Sequence, residues 1–390
     1  MKLKLLLAAV AALSLAVPAD ARPLWSKAEA QRWYGAQPWS VGSNYTPATA
    51  INELEMWQAE TWDPATIDKE MGYAQSIGMN TMRVFLHNLL WENDPQGLKR
   101  RMDAFLTIAA RHGVRPVFVL FDSCWDPNPK AGPQHPPIPG VHNSGWVQAP
   151  GAARLADRAQ YPKLRAYVTD VVGHFAHDRR ILAWDVWNEP NNEGGGNYAP
   201  TPDKKQLVAG LLGDVFTWAR STDPVQPLTS GVWLGETWDR PETLDAVERI
   251  QIAQSDIESF HDYNWPEHFE HRARQMLSYG RPVICTEYMA RGNGSTFDGS
   301  LPIGKRLNIA MINWGFVDGK TQTRLPWDSW DKPYTKGEPP IWFHEVFRAD
   351  GHPYRQAEAD LIRRLSSEPK VTQGEQAAMV APTRQPQRAY

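Results

Sequence analysis

Two glutamates at the ends of predicted strands are the residues of this sequence best suited to chemistry. Glu189 ends the apolar run of residues 181–189, and Glu287 ends a second run at residues 282–288. Packing alone does not call for a carboxylate where a buried strand meets a loop, although a pair with an arginine would also explain one. Two carboxyl groups in one pocket can divide the work of glycosidic bond cleavage, one donating a proton and the other acting as a carboxylate.

Other polar and aromatic side chains end neighbouring strands and could surround the two glutamates. Arg83 and the Tyr263 hydroxyl could keep Glu287 ionised, while burial and like charge raise the pKa of the other carboxyl. Taken singly, Arg83 also suits a structural ion pair, and a histidine or tryptophan suits the core. Their combination favours a substrate site whose binding residues are Arg83, His87, Asn188, His261, Tyr263 and Trp314.

The same residues do not predict a metal or cofactor site. His87, His261 and Asp122, which ends the third strand, do not match a compact metal-ligand spacing. We therefore expect chemistry that uses side chains alone, without a metal and without a cofactor. The separation of the two carboxyl groups, which distinguishes retaining from inverting hydrolysis, is left open by the sequence.

Eight strand-like runs alternate with helix-like runs, and this pattern positions the candidate residues. Strict alternation predicts a parallel sheet, and eight units predict a single (β/α)₈ TIM barrel over residues 22–366, with active residues at the carboxyl ends of its strands. Long loops follow strands three and eight, at residues 123–159 and 317–354. A doubly wound open sheet is less favoured, because no Gly-x-Gly-x-x-Gly follows strand one. The predicted strands cover residues 39–45, 80–87, 116–122, 181–189, 227–232, 254–263, 282–288 and 309–316.

Composition limits the partners of the chain. A formal net charge of -3 over 390 residues argues against nucleic acid or an anionic membrane as partner. Eighteen tryptophans, many in Pro/Gly-rich segments, indicate exposed stacking surfaces and hence a carbohydrate ligand, although a large aromatic core is the alternative.

The termini carry targeting signals and a polar tail. Residues 1–21 combine Lys2 and Lys4 with a short apolar run and an Ala-x-Ala site ending at Ala21, which predicts a signal peptide and a secreted or periplasmic protein. The apolar run is too short for a stable membrane span. Residues 367–390 are predicted to be a disordered tail. Cys124 and Cys285, the two cysteines, fall on distant strands and are predicted to be unpaired.

The motif Trp184-Asp-Val-Trp-Asn-Glu-Pro190 resembles the strand-four motif of clan-A glycoside hydrolases, and the chain is similar to glycoside hydrolase family 5, which includes cellulases and mannanases. The resemblance extends from about Trp39 to Leu365. It implies that Glu189 is the acid/base and Glu287 the nucleophile, and that Asn188 contacts the 2-hydroxyl of the sugar. The family's strand-two Arg, its His-x-Tyr after strand six and its strand-eight Trp correspond to Arg83, His261, Tyr263 and Trp314.

The resemblance implies a secreted retaining β-glycosidase working by double displacement. The segment Phe121-Asp-Ser-Cys-Trp125 departs from the usual pattern of the family near strand three, which leaves β-1,4-xylan, mannan and glucan all open as substrates. The long loops after strands three and eight could block one end of the substrate groove, so endo and exo action also stay open. A transglycosylase with the same residues and a non-catalytic carbohydrate-binding barrel are the alternatives.

Overall fold

Eight parallel strands form the centre of the molecule. A computed structural model of the chain describes residues 21–380, so most of the predicted signal peptide and residues 381–390 lie outside the described residues. The strands follow the order β5-β4-β3-β2-β1-β8-β7-β6. Val232 and Phe260 form a parallel bridge that joins the two outer strands, and the predicted (β/α)₈ barrel is thereby confirmed. The strands are β1 (Val41–Asn44), β2 (Thr81–Phe85), β3 (Arg115–Val119), β4 (Ala183–Asp185), β5 (Leu228–Thr229), β6 (Glu258–His261), β7 (Val283–Glu287) and β8 (Ala310–Asn313).

Helices surround the strands in the expected alternation. The predicted helix after strand five, at residues 241–249, is displaced to residues 246–254, because Asp245 and Glu248 form a capping box there. The first long loop contains one short α-helix and a 3₁₀ turn that its sequence did not predict. The helices are α1 (Lys27–Gly35), α2 (Glu53–Trp57), α3 (Pro64–Ser76), α4 (Asn88–Asn93), α5 (Pro95–Arg111), α6 (Ala152–Ala156), α7 (Tyr161–His174), α8 (Lys204–Arg220), α9 (Ala246–Gln254), α10 (Pro266–Leu277), α11 (Phe297–Arg306), α12 (Gln356–Ser367) and α13 (Gln373–Val380).

The interior of the barrel is layered from apolar to polar. Val117, Ile284 and Ile312 pack together near the amino ends of the strands, where Tyr34 of α1 covers them. Met82 and Val84 of β2 belong instead to the cluster between strands and helices. Because successive strand residues point to opposite faces, the intervening Arg83 points into the barrel. The apolar lower layer therefore supports a polar layer directly beneath the carboxyl ends.

The segment predicted to be a disordered tail is partly helical. Thr372 and Glu375 cap α13 reciprocally, with the Thr372 N–H donating to the Glu375 carboxylate at 2.8 Å. Gln376 then donates to the carbonyl oxygen of Leu307 at 2.6 Å, which ties the helix to the barrel. The prediction was wrong for residues 373–380, because the Thr372–Glu375 capping box starts a helix within a polar sequence.

Two further predictions concern cysteines and membrane spans. Cys124 and Cys285 are both free, as predicted. Within residues 21–380, no helix combines the length and the hydropathy needed to cross a lipid bilayer.

Two glycines test how closely the strands are packed. An added Cβ on Gly42 of β1 would lie 1.8 Å from the carbonyl oxygen of Thr81, whereas one on Gly210 of α8 meets nothing within 4 Å. We expect Gly42→Ala to lower the free energy of unfolding by at least about 2 kcal/mol. Gly210→Ala, the matched control, should raise it by about 0.5–1 kcal/mol because helical alanine is favoured over glycine. Urea unfolding of both variants measures the free energy of unfolding. If the two substitutions changed it by the same amount in the same direction, the close approach of β1 and β2 would be contradicted.

Candidate active site

The two predicted carboxylates lie together at the carboxyl ends of the strands. Glu189 follows β4, Glu287 ends β7, and both side chains are almost fully buried. One ligand atom each from Glu189, His261 and Glu287 lie within 4.8 Å of one another. Two separate sequence predictions thus converge on one pocket, in which the glutamates are close enough to act on a single bond.

Glu287 is held by a cation and a hydroxyl. Its Oε1 accepts a hydrogen bond from Arg83 Nη1 at 2.9 Å, and its Oε2 accepts one from the Tyr263 hydroxyl at 2.7 Å. Burial and the nearby Glu287 charge raise the pKa of Tyr263, so its hydroxyl stays a donor. Both contacts stabilise the carboxylate form, and the one from Arg83 is charge-assisted and therefore the stronger. The predicted roles of Arg83 and Tyr263 agree with this geometry.

Arg83 lies completely buried and uses all five of its N–H donors. Nε and Nη2 donate to Asp185 Oδ2 at 3.0 and 2.8 Å. The remaining donors reach Asn44 Oδ1 at 2.8 Å, Glu287 at 2.9 Å and Asn188 Oδ1 at 2.6 Å. Burial alone would lower the pKa of Arg83, but Asp185 and Glu287 outweigh it and the pKa is raised. The guanidinium therefore connects β1, β2, β4 and β7 as a permanent cation.

Glu189 has only neutral donors around it. Asn192 Nδ2 donates to its Oε2 at 2.7 Å and the Cys124 thiol to the same oxygen at 3.3 Å. Its Oε1 lies 2.8 Å from His261 Nδ1. The backbone of Glu189 has φ +43°, a left-handed conformation that costs a non-glycine residue about 1–3 kcal/mol. This conformation turns the side chain out of the strand alternation and toward the pocket.

The electrostatics of Glu189 and Glu287 favour a state in which the two carboxyl groups together carry one proton. Burial raises the pKa of Glu189, and the donors of Asn192 and Cys124 offset this only in part. Burial also raises the pKa of Glu287, while His261 and Arg83 act against it. Because Glu287 contacts a full positive charge and Glu189 contacts only dipoles, the first proton binds at Glu189. Such an arrangement assigns the acid to Glu189 and the carboxylate to Glu287.

His261 lies between the two glutamates as a neutral imidazole. Burial lowers its pKa to about 4. Its Nε2 is buried without a hydrogen-bond partner, so the tautomer with the proton on Nδ1 avoids an orphaned donor. That proton then points to Glu189 Oε1, and His261 orients the acid rather than contacting a sugar from the open side.

His87 is not part of the pocket, and its assignment to substrate binding was wrong. Strand β2 ends at Phe85, so the alternation that would have turned His87 inward stops before it. The His87 Nδ1 accepts from the Leu89 N–H at 3.0 Å, which caps α4, and Nε2 lies 3.0 Å from the carbonyl oxygen of Gln148. Both ring nitrogens are thus occupied by backbone groups.

A cavity of about 270 Å³ lies above the glutamates. Trp314 borders it as predicted, and Asn188 contributes its amide, whose Nδ2 also donates to Asp122 Oδ1 at 2.8 Å. Several lining residues were not predicted because they lie in loops without periodicity, where no pattern indicates which way a side chain points. These are Cys124, Trp125, His142, Asn192, Gly194, Trp233 and Trp327.

Glu189, His261 and Glu287 are also the one group within residues 21–380 whose atoms could together hold a metal ion. The donor set does not suit one, because Arg83 already places a guanidinium 2.9 Å from Glu287. The neutral donors on Glu189 likewise point their hydrogens at the oxygen that a metal would need. The arrangement suits a carboxyl group that donates and accepts a proton.

Comparison with known proteins gives partial sequence similarity and a shared fold. No family model matches the chain. The mannan endo-1,4-beta-mannosidase A of Hypocrea jecorina is 28% identical over 203 residues, which are 45% of this chain and 43% of that protein. The chain thus spans less than half the length of this curated relative.

Solved structures extend the similarity over most of the chain. GH5_18 from Streptomyces cattleya, in complex with GlcNAc, superposes with a TM-score of 0.58 at 14% identity, covering 88% of this chain and 87% of that one. The endo-beta-1,4-mannanase from Thermotoga petrophila gives a TM-score of 0.54 at 14% identity, covering 86% and 77%. At this identity the match concerns the fold. Part of the chain is thus similar in sequence to mannan endo-1,4-beta-mannosidases, and the whole barrel shares its fold with family 5 glycoside hydrolase structures, the likeness that the strand-four motif predicts.

Proposed function

We propose that the chain is an exported retaining β-glycosidase that hydrolyses β-1,4-linked mannosyl residues of a polysaccharide or oligosaccharide. The observation that carries the proposal is the pair of buried glutamates held differently, Glu287 by a cation and Glu189 by neutral donors. An oxygen of each lies within 4.8 Å of the other, which favours retention over inversion because an inverting water needs carboxyl groups about 6.5–9.5 Å apart. The name of the curated relative favours mannan among the three candidate glycans.

In the first step the sugar is transferred to the protein. Glu287 attacks the anomeric carbon with a carboxylate oxygen while Glu189 gives its proton to the glycosidic oxygen. The bond from anomeric carbon to glycosidic oxygen breaks, and a glycosyl ester of Glu287 forms. Glu287 loses its negative charge when it forms the ester. The Arg83 cation still contacts the carboxylate of Asp185 and therefore remains in an ion pair.

The second step returns both glutamates to their starting states. Glu189, now a carboxylate, takes a proton from water, and the water oxygen attacks the anomeric carbon as the ester bond breaks. Asn188 is fixed between Arg83 and Asp122, so its amide is ready to bond the sugar 2-hydroxyl at the oxocarbenium-like transition state. Two displacements at one carbon give net retention.

The roles of the two glutamates are separable by rescue with azide. We expect Glu287→Ala to lose at least about 1,000-fold in kcat and to form the α-glycosyl azide, because azide then replaces the missing nucleophile on its face. Glu189→Ala should lose about 10²–10⁴-fold on substrates with poor leaving groups, retain activity on dinitrophenyl glycosides and form the β-glycosyl azide. Kinetics with aryl β-mannosides and NMR of the azide products measure both.

The control for these variants is Glu193→Gln, an exposed glutamate in the loop that follows β4. It should keep wild-type kinetics. Identical azide anomers from both alanine variants would contradict the assignment of roles, and hydrolysis with inversion by the wild type would contradict the double displacement.

The thiol of Cys124 should lower the pH at which activity falls on the alkaline side of the pH profile. It donates to Glu189 Oε2, which stabilises the carboxylate and lowers the pKa of Glu189. Activity falls as Glu189 loses its proton, so removing the donor must move this limb upward. We expect Cys124→Ala to shift the alkaline limb of kcat/KM to higher pH by up to about one unit.

The matched variant Cys124→Ser keeps a donor at the same position and should keep the wild-type alkaline limb. Profiles of kcat/KM for the three proteins, recorded between pH 4 and 9, provide the comparison. An unshifted limb in Cys124→Ala, or equal shifts in both variants, would show that the thiol does not act through the protonation of Glu189.

A further inference from the structure

From the arrangement of the loops above the cavity we infer that the enzyme is exo-acting and removes one sugar at a time from the non-reducing end. This inference rests on the proposed function and specifies how much of a glycan the pocket admits. It depends on which side of the glutamates the departing chain occupies, and on what closes the other side.

The glycone side is the side of β1, β2, β3 and β8. Asn188 lies after β4, but its amide reaches toward β2 and β3, where it contacts Arg83 and Asp122. Because the 2-hydroxyl belongs to the sugar that is attacked, that ring must lie on this side, over Trp314. The leaving group must then lie on the side of β5 and β6.

The loops after β3 and β8 are joined across the glycone side. Gln322 donates to the carbonyl oxygens of Ile138 and Val141 at 2.8 and 3.1 Å and accepts from the Gly140 N–H at 3.2 Å. His142 adds an N–H bond to the Ser329 hydroxyl at 2.9 Å. We call residues 138–146 and 321–330 the glycone wall, since side chains of the second loop bond directly to the backbone of the first.

The loop after β4 completes the enclosure above the wall. Trp125 stacks on Trp330 with ring centroids 5.3 Å apart and planes 15° from parallel. Gly196 packs so closely on Trp330 that an added Cβ would lie 2.8 Å from its ring. The Tyr198 hydroxyl donates to the carbonyl oxygen of Ser144 at 3.2 Å. Three loops therefore meet where a longer glycan would need to continue.

The space left beyond Trp314 is too small for a second sugar. The cavity there, bordered by Asn44, Phe85, Asn143 and Thr321, measures about 20 Å³, close to the room that one water requires. The cavity above the glutamates, about 270 Å³, is slightly smaller than most small-molecule sites. One sugar ring fits between the glutamates and the glycone wall, and a longer glycan does not extend past the wall.

The leaving-group side carries exposed aromatic surface instead. Trp233, after β5, borders the cavity and is held by a hydrogen bond of 2.7 Å from its Nε1 to Asn191. Trp265, after β6, is 53% exposed. The half-buried Trp233 and the exposed Trp265 suit the stacking of sugar rings of a glycan that extends outward from the pocket.

The test uses β-1,4-mannohexaose labelled with a fluorophore at its reducing end. The wild type should first give the labelled pentaose and free mannose, then each shorter labelled product in turn. Several labelled lengths appearing at once would overturn the inference. A hexaose capped at its non-reducing end by a 4,6-O-benzylidene group should be hydrolysed at least about 100-fold more slowly. Equal rates on capped and free hexaose would also overturn it.

A simple aryl β-mannoside separates this inference from the proposed function. If the wild type cleaves neither the aryl glycoside nor the hexaose, nor the corresponding xylose and glucose substrates, the proposed function fails. If it cleaves them but cuts the hexaose internally, only the exo inference fails.

Variants of the glycone wall give an independent readout. Gln322→Ala removes three of the hydrogen bonds that join the two loops and should raise the share of internal cleavage of the capped hexaose at least fivefold, with the aryl glycoside still cleaved. Lys336→Ala, exposed in the same loop, is the control and should keep the wild-type product pattern. A folded Gln322→Ala with unchanged products would show that these bonds do not set the mode of action; the capped substrate tests the wild type even if this variant does not fold.

Discussion

The buried guanidinium of Arg83 is the interaction on which the site depends. A cation excluded from water is tolerated only when its donors are paired, and Arg83 pairs all five with groups on β1, β4 and β7 and the segment after β4. Each partner is held in one position because the fork of the guanidinium is planar and rigid. The nucleophile, the 2-hydroxyl contact and their supports are consequently fixed relative to one another before any sugar binds.

The same cation decides where the proton resides. The buried polar layer contains more acids than bases, since four carboxyl groups face Arg83 and Lys204, and burial lowers the pKa of Lys204 to about 8. Full ionisation would leave uncompensated negative charge in a medium of low polarity. One proton reduces this negative charge, and of the two glutamates it binds at Glu189 because Glu287 is paired with Arg83. The carboxyl groups are Asp122, Asp185, Glu189 and Glu287.

The sequence predicted the position of a site residue where that residue lies on a regular strand, and it did so less well beyond the strand ends. Arg83 and Glu287 lie on strands, whose period of two indicates direction, and each lies where it was predicted. Past the strand ends the period no longer applies, and the outcome depends on the local chain path. Tyr263, two residues after β6, reaches Glu287, whereas His87, two residues after β2, bonds only backbone groups. Cys124 and Asn192 lie in loops, so their contacts with Glu189 depend on long-range packing. Asp185 could have been recognised, because it is an acid with inward parity within an apolar strand.

The strands and the loops of the barrel have different roles: the strands position the catalytic groups, and the loops determine which substrates are admitted. The strands and the segments directly after them position the reacting groups, and substitutions there change the chemical steps rather than the length of glycan admitted. The loops after β3, β4 and β8 reach Glu189 only through Cys124 and Asn192 and otherwise contact one another, so their outer parts can change the length of glycan admitted while Arg83 and its partners stay in place. Bonds such as those of Gln322 involve neither Glu189 nor Glu287. A barrel of this kind can therefore convert an open groove into a closed pocket through its loops alone, with the same double displacement beneath it.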